Sequence, residues 1–280
     1  LALVIESPII MLLTAATALG RDLNSYHKLW RLTNLLGLAL TALHMLLAFT
    51  PLYDWVARSL IGAPEEIIEP GRIGLQIMTP WTWAIGYRRF HQGVLIRFGH
   101  SSAVGWGTAM RLLADVVVLG IGFALHRYSG IVVATSAVAV GVLAEAVYIR
   151  WRFQRVLTGP LAEATGPAIT MREVVLFYLP IAFAPTIGLL GQPILTGAMS
   201  RLEVPTLTLA VWPTLNSLIF MLRAAGIVYT EVVVALLDRP EGRAQLFRFT
   251  VLLSVVLSIP LLVLCLTPLI DVWFEKFIGL

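Results

Sequence analysis

The chain has 280 residues, of which 58% are hydrophobic and 13% are charged, and its mean hydropathy is +0.86. A soluble domain is typically about half apolar and about a quarter charged, so this composition predicts an integral membrane protein. The formal net charge is +4, but the basic residues lie mostly between hydrophobic segments, as topology signals, and we set nucleic acid aside as a partner. The single cysteine, Cys265, lies in an apolar run, which excludes a disulfide framework and a thiolate metal cluster.

Eight hydrophobic segments follow one another, each near the length of about 20 residues that an α-helix needs to cross a bilayer. They run roughly over residues 1–19, 32–50, 71–94, 102–125, 130–150, 171–199, 204–237 and 248–266. The longest polar stretch, 151–170, contains two Gly-Pro pairs and is the natural linker between two halves. We therefore predict an all-α polytopic membrane protein with an N-terminal lobe over 1–158, a linker over 159–170 and a C-terminal lobe over 171–280.

An internal repeat indicates how these segments are related. Residues 29–62 and 246–279 lie 217 positions apart and are identical at 13 of 34 ungapped positions, most specifically in Thr50-Pro51-Leu52-x-Asp54 and Thr267-Pro268-Leu269-x-Asp271. Because the second segment matches the eighth, the first matches the seventh and the sixth has no partner. The repeat therefore predicts one further helix before Leu1 and three after the last segment, giving twelve helices in two pseudosymmetric six-helix lobes.

Charge placement predicts the orientation in the membrane. The loops after the first, third, fifth and seventh segments hold thirteen Lys and Arg residues, whereas the opposite loops and the end of the chain hold five. Basic residues collect on the cytoplasmic side, so the first set of loops is predicted to be cytoplasmic and Leu1 to lie near the outer face. The expected location is a plasma membrane, the inner membrane of a bacterium.

Proline is concentrated in the sixth and seventh segments, at Pro180, Pro185, Pro193, Pro205 and Pro213. Each proline removes a backbone donor, so we expect these two helices to be broken or kinked. In transporters such breaks face the central cavity, although proline in a membrane helix can also serve packing alone.

Several ionisable residues lie at membrane depth, where a charge costs on the order of 3 kcal/mol and needs a partner or a function. Arg111 and Asp115 are four residues apart on one helix face and can form an ion pair, which could be purely structural. Arg223 and Glu231 are eight apart, too far for direct contact on a straight helix, and are candidates for a cavity. The ion-coupling candidates, for H⁺ or Na⁺, are Glu6, Arg111, Asp115, Glu145 and Glu231, and Arg223 is a candidate for substrate binding.

A polar cluster near the end of the third segment comprises Arg88, Arg89, His91 and Gln92. Two guanidinium groups with these neighbours would suit an anionic substrate. The alternative is that the arginines are anchors whose charged ends reach the membrane interface. The other histidines lack the spacing of metal ligands, so no metal and no other cofactor is predicted, and motifs of nucleotide-binding or hydrolytic enzymes are absent.

Diffuse motifs along nearly the whole chain carry a resemblance to a known superfamily. They are the charged helix from Arg223 to Asp238, Phe249-Thr250, Thr267-Pro268 with Ile278-Gly279, and the segment from Trp81 through Gly93-Val94-Leu95 to Arg111. The layout resembles the multidrug, oligosaccharidyl-lipid and polysaccharide exporters, and within them the progressive ankylosis proteins and their bacterial relatives. The resemblance implies two six-helix lobes related by an axis along the membrane normal, alternating access, and export of anionic metabolites such as pyrophosphate, citrate or nucleotides. The chain departs from the family by lacking the first helix and the last three.

The leading hypothesis is therefore a secondary-active exporter of a small, anionic solute. The exporter would present its central cavity alternately to each side of the membrane, with H⁺ or Na⁺ as the coupling ion. Membrane lipid would surround it. A lipid-linked saccharide flippase and a drug exporter of the same superfamily are alternatives. A membrane scaffold or a polytopic enzyme is a third, although no acceptor–donor dyad at matched depth supports an enzyme.

Overall fold

The computed structural model describes residues 1–62, 65–199, 205–237 and 242–269, and every regular element in these ranges is helical. The elements are α1 (Ala2–Glu6), a 3₁₀ segment (Ser7–Met11), α2 (Leu12–Leu19), α3 (Leu23–Phe49), α4 (Leu52–Trp55), a π segment (Val56–Ile61), α5 (Glu65–Ile77), α6 (Thr79–Arg97), α7 (Ser101–Leu125), α8 (Gly130–Leu157), α9 (Pro160–Glu163), α10 (Met171–Met199), α11 (Pro205–Leu236) and α12 (Gly242–Leu266). Among the described residues, seven helical spans are long and apolar enough to cross a membrane. The prediction of an all-α membrane protein is confirmed for this part of the chain.

The third predicted segment is not among these seven spans, so the predicted count of eight is not reached. Its helix is interrupted at Met78, where α5 ends and α6 begins, with Pro80 in the first turn of α6. Helix α6 packs against α2, α3, α7 and α8, and its side chains at Phe90 and Val94 are fully buried. Because protein rather than lipid surrounds α6, its sequence can be more polar than that of its neighbours.

The sixth and seventh segments were predicted to be broken or kinked; breaks are not observed, and the kinks stay a prediction. Helices α10 and α11 each run without interruption, and Pro205 occupies the first position of α11, where its missing N–H costs nothing. The break lies instead in the first segment, where a 3₁₀ segment with Pro8 near its start separates α1 from α2.

Side chains satisfy the backbone groups that this break sets free. The Ser7 hydroxyl donates to the Val4 carbonyl at 2.8 Å, close to where Pro8 offers no N–H. The Tyr178 hydroxyl donates to the Pro8 carbonyl, and Ser7 Oγ lies 3.1 Å from Thr186 Oγ1. Irregular backbone at membrane depth is tolerated where protein groups replace the lost hydrogen bonds, and here Ser7 and Tyr178 of α10 supply them.

The two copies of the repeat share local structure as well as sequence. Helices α2 and α11 end at Leu19 and Leu236, and α3 and α12 end at Phe49 and Leu266, in both cases 217 residues apart. Thr50 Oγ1 donates to the carbonyl four residues earlier at 2.6 Å and accepts the N–H two residues later at 3.3 Å. Thr267 makes the same two bonds, at 2.6 and 3.4 Å. The remaining repeat matches, at 271 and 278–279, lie outside the described residues.

The chain divides into two compact units, Leu1–Ile194 and Leu195–Leu280. Buried residues of the first unit lie mainly around α6. In the second unit, α11 and α12 are joined by the Tyr229 hydroxyl, which donates to the Leu246 carbonyl at 3.1 Å and contacts Thr250 Oγ1. The lobe boundaries over 1–158 and 171–280 stay a prediction.

A network of ion pairs near the protein surface links α4, the π segment and α5. Arg58 Nε lies 2.8 Å from Glu65 Oε1, Arg72 Nε lies 3.4 Å from Glu69 Oε2, and an Arg72 N–H donates to Asp54. The Arg72 hydrogen bond holds the pKa of Asp54 below its usual range, and Arg58 does the same for the pKa of Glu65.

Acidification should weaken this network. A carboxylate whose pKa is lower in the folded than in the unfolded protein stabilises the fold when the pH is above its unfolded-state pKa. It loses that contribution as the pH falls through its folded-state pKa. We expect Asp54→Asn to lower the thermal unfolding midpoint at neutral pH and to reduce the further fall on acidification. Glu66→Gln, at an exposed residue beside the network, is the matched control. Identical pH profiles for Asp54→Asn and the wild type would show that the ion pair contributes nothing.

The predicted orientation can be checked at two exposed arginines at opposite ends of α8. Arg155 lies in its last turn and Arg127 precedes its start. In a Cys265→Ala background, we expect Arg127→Cys in intact cells to react with an impermeant thiol reagent and Arg155→Cys to react only after the membrane is opened. The opposite labelling pattern would reverse the topology.

Candidate functional site

A group of buried and half-buried side chains, four charged and one polar, lies where α6, α7 and α8 meet. It comprises Arg88 and Gln92 on α6, Arg111 and Asp115 on α7, and Glu145 on α8, and we refer to it as the Glu145 cluster. All of these residues were singled out in the sequence, but nothing there showed that three helices bring them together.

The Glu145 carboxylate is the centre of the cluster and is fully buried. Its Oε1 accepts a hydrogen bond from Arg88 Nη1 at 3.1 Å and another from Gln92 Nε2 at 2.8 Å. Arg88 and Gln92 are four residues apart, so they lie on one face of α6 and reach the same oxygen. Burying a carboxylate requires such pairing, since an unpaired one costs several kcal/mol.

The cluster retains hydrogen-bonding capacity that the protein does not use. Glu145 Oε2 lies 3.9 Å from Arg111 Nε, beyond hydrogen-bonding distance, and has no hydrogen-bond partner. Asp115 Oδ1 and Arg88 Nε are also buried without one. Buried polar atoms are nearly always bonded, so exceptions of both donor and acceptor type in one place mark a functional candidate.

Two glycines bring α7 and α8 close together at this point. A Cβ atom at Gly141 would lie 1.8 Å from Asp115 Oδ1, and one at Gly107 would lie 3.3 Å from Glu145 Cγ. Any larger residue at Gly141 would displace the Asp115 carboxylate. The absence of side chains at these two positions therefore makes room for the buried charges.

The predicted ion pair between Arg111 and Asp115 is not formed, since no nitrogen–oxygen distance between them is within 4.0 Å. Arg111 lies instead toward Glu145 across the helix interface. Its Cγ passes 3.0 Å from the position of a Gly141 Cβ, so the missing side chain on α8 lets the guanidinium approach that helix. Spacing along one helix placed the two residues on a common face but did not reveal the competing carboxylate.

The four residues proposed as an anion site do not form one site. Arg88 and Gln92 bind Glu145, whereas His91 Nδ1 lies 2.8 Å from the Tyr87 carbonyl in an aromatic cluster with Trp30, Phe90 and Phe153. Arg89 is partly buried. Adjacent residues on an α-helix point about 100° apart, so Arg88 and Arg89 leave the helix in different directions. In this conformation Glu145 neutralises Arg88.

A second buried carboxylate, Glu6, lies at the break in the first span, and we refer to its surroundings as the Glu6 cluster. Thr82 Oγ1 lies 2.9 Å from Glu6 Oε1, His44 Nδ1 lies 2.8 Å from Thr82 Oγ1, and His44 Nε2 lies 2.9 Å from the Leu75 carbonyl. Glu6 is 2% exposed, and His44 and Thr82 are fully buried. The sequence indicated Glu6 but missed its partners; a lone histidine inside an apolar segment was the one available signal.

The other two candidates, Arg223 and Glu231, lie on the continuous helix α11, and their side chains are outside what the structure describes. A surface pocket of about 380 Å³ lies elsewhere, between the start of α3 and residues 167–177, and contains none of the candidate residues. In the described ranges no three His, Cys, Asp or Glu side chains are grouped as metal ligands.

Comparisons of the chain with protein-family models, with curated proteins and with solved structures give no match. The fold and the two clusters therefore define the class of protein by themselves. The chain is an integral, polytopic membrane protein that holds two buried, hydrogen-bonded carboxyl groups, Glu6 and Glu145, within its helical interior.

Proposed function

We propose that the chain belongs to a secondary-active exporter that moves a small anionic solute by alternating access between two lobes, driven by an ion gradient. The observation that carries this proposal is the fully buried Glu145 carboxylate, held by Arg88 and Gln92 with Arg111 nearby. The sequence repeat and its shared helix ends support the two-lobe architecture.

Stability alone is a weak explanation for the Glu145 cluster. A buried ion pair can usually be replaced by packed apolar residues without loss of stability, and charged residues in membrane spans mark ion or substrate pathways. Helix α6 carries Arg88 and Gln92 of the Glu145 cluster, and it also carries Thr82, which is bonded to Glu6. One helix therefore carries partners of both buried carboxylates, as coupling between two binding events requires.

The charges of the Glu145 cluster favour an anionic solute. Arg88 and Arg111 balance the charges of Glu145 and Asp115, and the neighbouring Arg89, whose charge acts on Arg88, leaves one positive charge in excess. An anion and the Glu145 carboxylate would compete for the same guanidinium groups, so protonation or ion binding at the carboxylate would alter solute affinity. A negative-inside membrane potential favours outward movement of each negative charge by about 2.3 kcal/mol per 100 mV.

Gradient-driven flux in proteoliposomes tests this proposal. The full-length gene product is reconstituted, and efflux of labelled pyrophosphate, citrate and ATP is measured under imposed H⁺ or Na⁺ gradients. We expect flux of at least one anion in the wild type and loss of its ion dependence in Glu145→Gln. The control Glu163→Gln, at an exposed residue of α9, should behave as the wild type. Unchanged ion-dependent flux in a folded Glu145→Gln protein would contradict the assignment.

A further inference from the structure

The Glu6 cluster contains an arrangement of donors and acceptors that is incomplete without an exchangeable proton. His44 Nδ1 and Glu6 Oε1 are 4.0 Å apart, too far for a direct hydrogen bond, and the Thr82 hydroxyl lies between them within 2.9 Å of each. A carbonyl oxygen can only accept, so His44 Nε2, at 2.9 Å from the Leu75 carbonyl, carries a proton. The other protons of the cluster lie on His44 Nδ1, Thr82 Oγ1 or Glu6 Oε1.

The Thr82 hydroxyl has a single hydrogen but two neighbours that can accept it. With one further proton in the cluster, two arrangements satisfy both contacts. Either a protonated His44 Nδ1 donates to Thr82, which donates to the Glu6 carboxylate, or a protonated Glu6 donates to Thr82, which donates to neutral His44. These arrangements interconvert by moving two protons along the same line of atoms, and no atom leaves the cluster.

Removal of that proton leaves two acceptors competing for one hydroxyl hydrogen. One of three bonds is then lost: His44 to Thr82, Glu6 to Thr82, or, if the imidazole proton moves to Nδ1, His44 to the Leu75 carbonyl. His44 lies on α3, Glu6 ends α1, Thr82 lies on α6 and Leu75 on α5. Loss of the proton therefore removes one hydrogen bond that joins α1 or α3 to α6, or α3 to α5.

From this geometry we infer that Glu6, Thr82 and His44 form a binding site for one proton. The bound proton completes the hydrogen bonds that join the first span, α3, α5 and α6, and its release breaks one of them. The inference rests on the proposed function, because it makes H⁺ rather than Na⁺ the coupling ion of the exporter.

The surroundings of the cluster favour a proton over a metal cation. Hard cations bind sets of oxygen ligands, whereas here the hydroxyl joins a carboxylate to an imidazole nitrogen at hydrogen-bonding distances. Helix α5 contributes the Leu75 carbonyl, and α10 contributes the Tyr178 hydroxyl, which is bonded to Pro8. Among the described residues, no charged side chain other than these two is seen to interact with Glu6 or His44.

Infrared difference spectroscopy of the purified full-length protein tests the proton site without any solute. Spectra recorded across an acid-to-base titration should contain a protonated-carboxyl C=O band or the matching carboxylate bands that disappear in Glu6→Gln. Thr82→Val, which removes the hydroxyl at similar volume, should shift the bands, whereas Thr82→Ser should leave them in place. In ¹⁵N spectra, the His44 Nδ1 signal, assigned with His44→Gln, should move with the same titration and change in Thr82→Val.

Flux measurements separate this inference from the proposed function. Pyrophosphate, citrate and ATP efflux should respond to an imposed H⁺ gradient in the wild type and in Thr82→Ser, and should lose that response in Glu6→Gln and Thr82→Val. Titration bands that are insensitive to Glu6→Gln, or an H⁺ response that survives in both folded variants, would overturn the inference. A wild-type protein with the expected bands but no flux of any anion would instead contradict the exporter and leave the proton site standing.

Discussion

Arg88→Met alone is expected to destabilise the folded protein by about 3–5 kcal/mol, because it leaves a buried carboxylate without its main cation. Arg88 is 6% exposed and donates to the fully buried Glu145 at 3.1 Å. Glu145→Leu alone should cost a similar amount, since it leaves the Arg88 guanidinium in the same interior. The half-buried Arg111, 3.9 Å from Glu145, offers a weaker replacement partner and should not restore the loss.

The double change Arg88→Met with Glu145→Leu should cost much less than the sum of the two single changes, because neither member of the pair is left buried without the other. Denaturant unfolding in lipid–detergent micelles measures all three free energies of unfolding. Arg155→Met, at an exposed residue of α8, is the control and should lie within about 0.5 kcal/mol of the wild type. Additive losses in this cycle would mean that Arg88 and Glu145 are not coupled.

Gly93→Ala should produce the second large effect, by separating α6 from α2. A Cβ atom there would lie 2.3 Å from the Leu13 carbonyl oxygen, 2.6 Å from Ala16 Cβ and 3.0 Å from the Thr17 N atom. Most of these neighbours are backbone atoms, which cannot rotate away. We expect a cost of about 1–3 kcal/mol from overpacking, greater than the gain of about 1 kcal/mol in helix propensity.

Gly105→Ala is the matched control for this substitution. Gly105 lies inside α7, and a Cβ atom there would meet nothing within 4 Å, so the helix should be slightly stabilised. Thermal unfolding midpoints should therefore shift in opposite directions for the two variants. A Gly93→Ala protein as stable as Gly105→Ala would show that α6 and α2 do not approach this closely.

The sequence predicted most of the helices because apolar length is a strong signal, and it failed where protein rather than lipid surrounds a helix. Helix α6 was included as a span, yet its polar residues and the interruption at Met78 set it apart from its neighbours. Prolines in α10 and α11 indicated breaks that are not observed, whereas the break beside Pro8 was overlooked. The number of prolines alone does not show where a helix is interrupted. Neighbouring side chains decide whether the backbone groups that lose their hydrogen bonds find new partners.

The candidate site was predictable as a set of residues but not as a set of contacts. Glu6 and Glu145 stood out because charges in apolar segments are costly, and Arg88 because it lies in a polar cluster with a second arginine. Their partners come from other helices, so spacing within one helix favoured the wrong pair for Arg111. His44 and Thr82 gave little signal, since neither is charged by default and their bonds join residues 38 positions apart.

Counterflow in proteoliposomes tests most directly whether this protein is a carrier. Vesicles containing the full-length gene product are loaded with unlabelled pyrophosphate, citrate or ATP and diluted into a trace of the same labelled anion, with no ion gradient imposed. A carrier that alternates between two faces should transiently accumulate the label, and Glu145→Gln, with the buried cluster altered, should change the rate or extent of accumulation. Absence of accumulation for every anion, with folded and correctly inserted wild-type protein, would contradict transport of these solutes by alternating access.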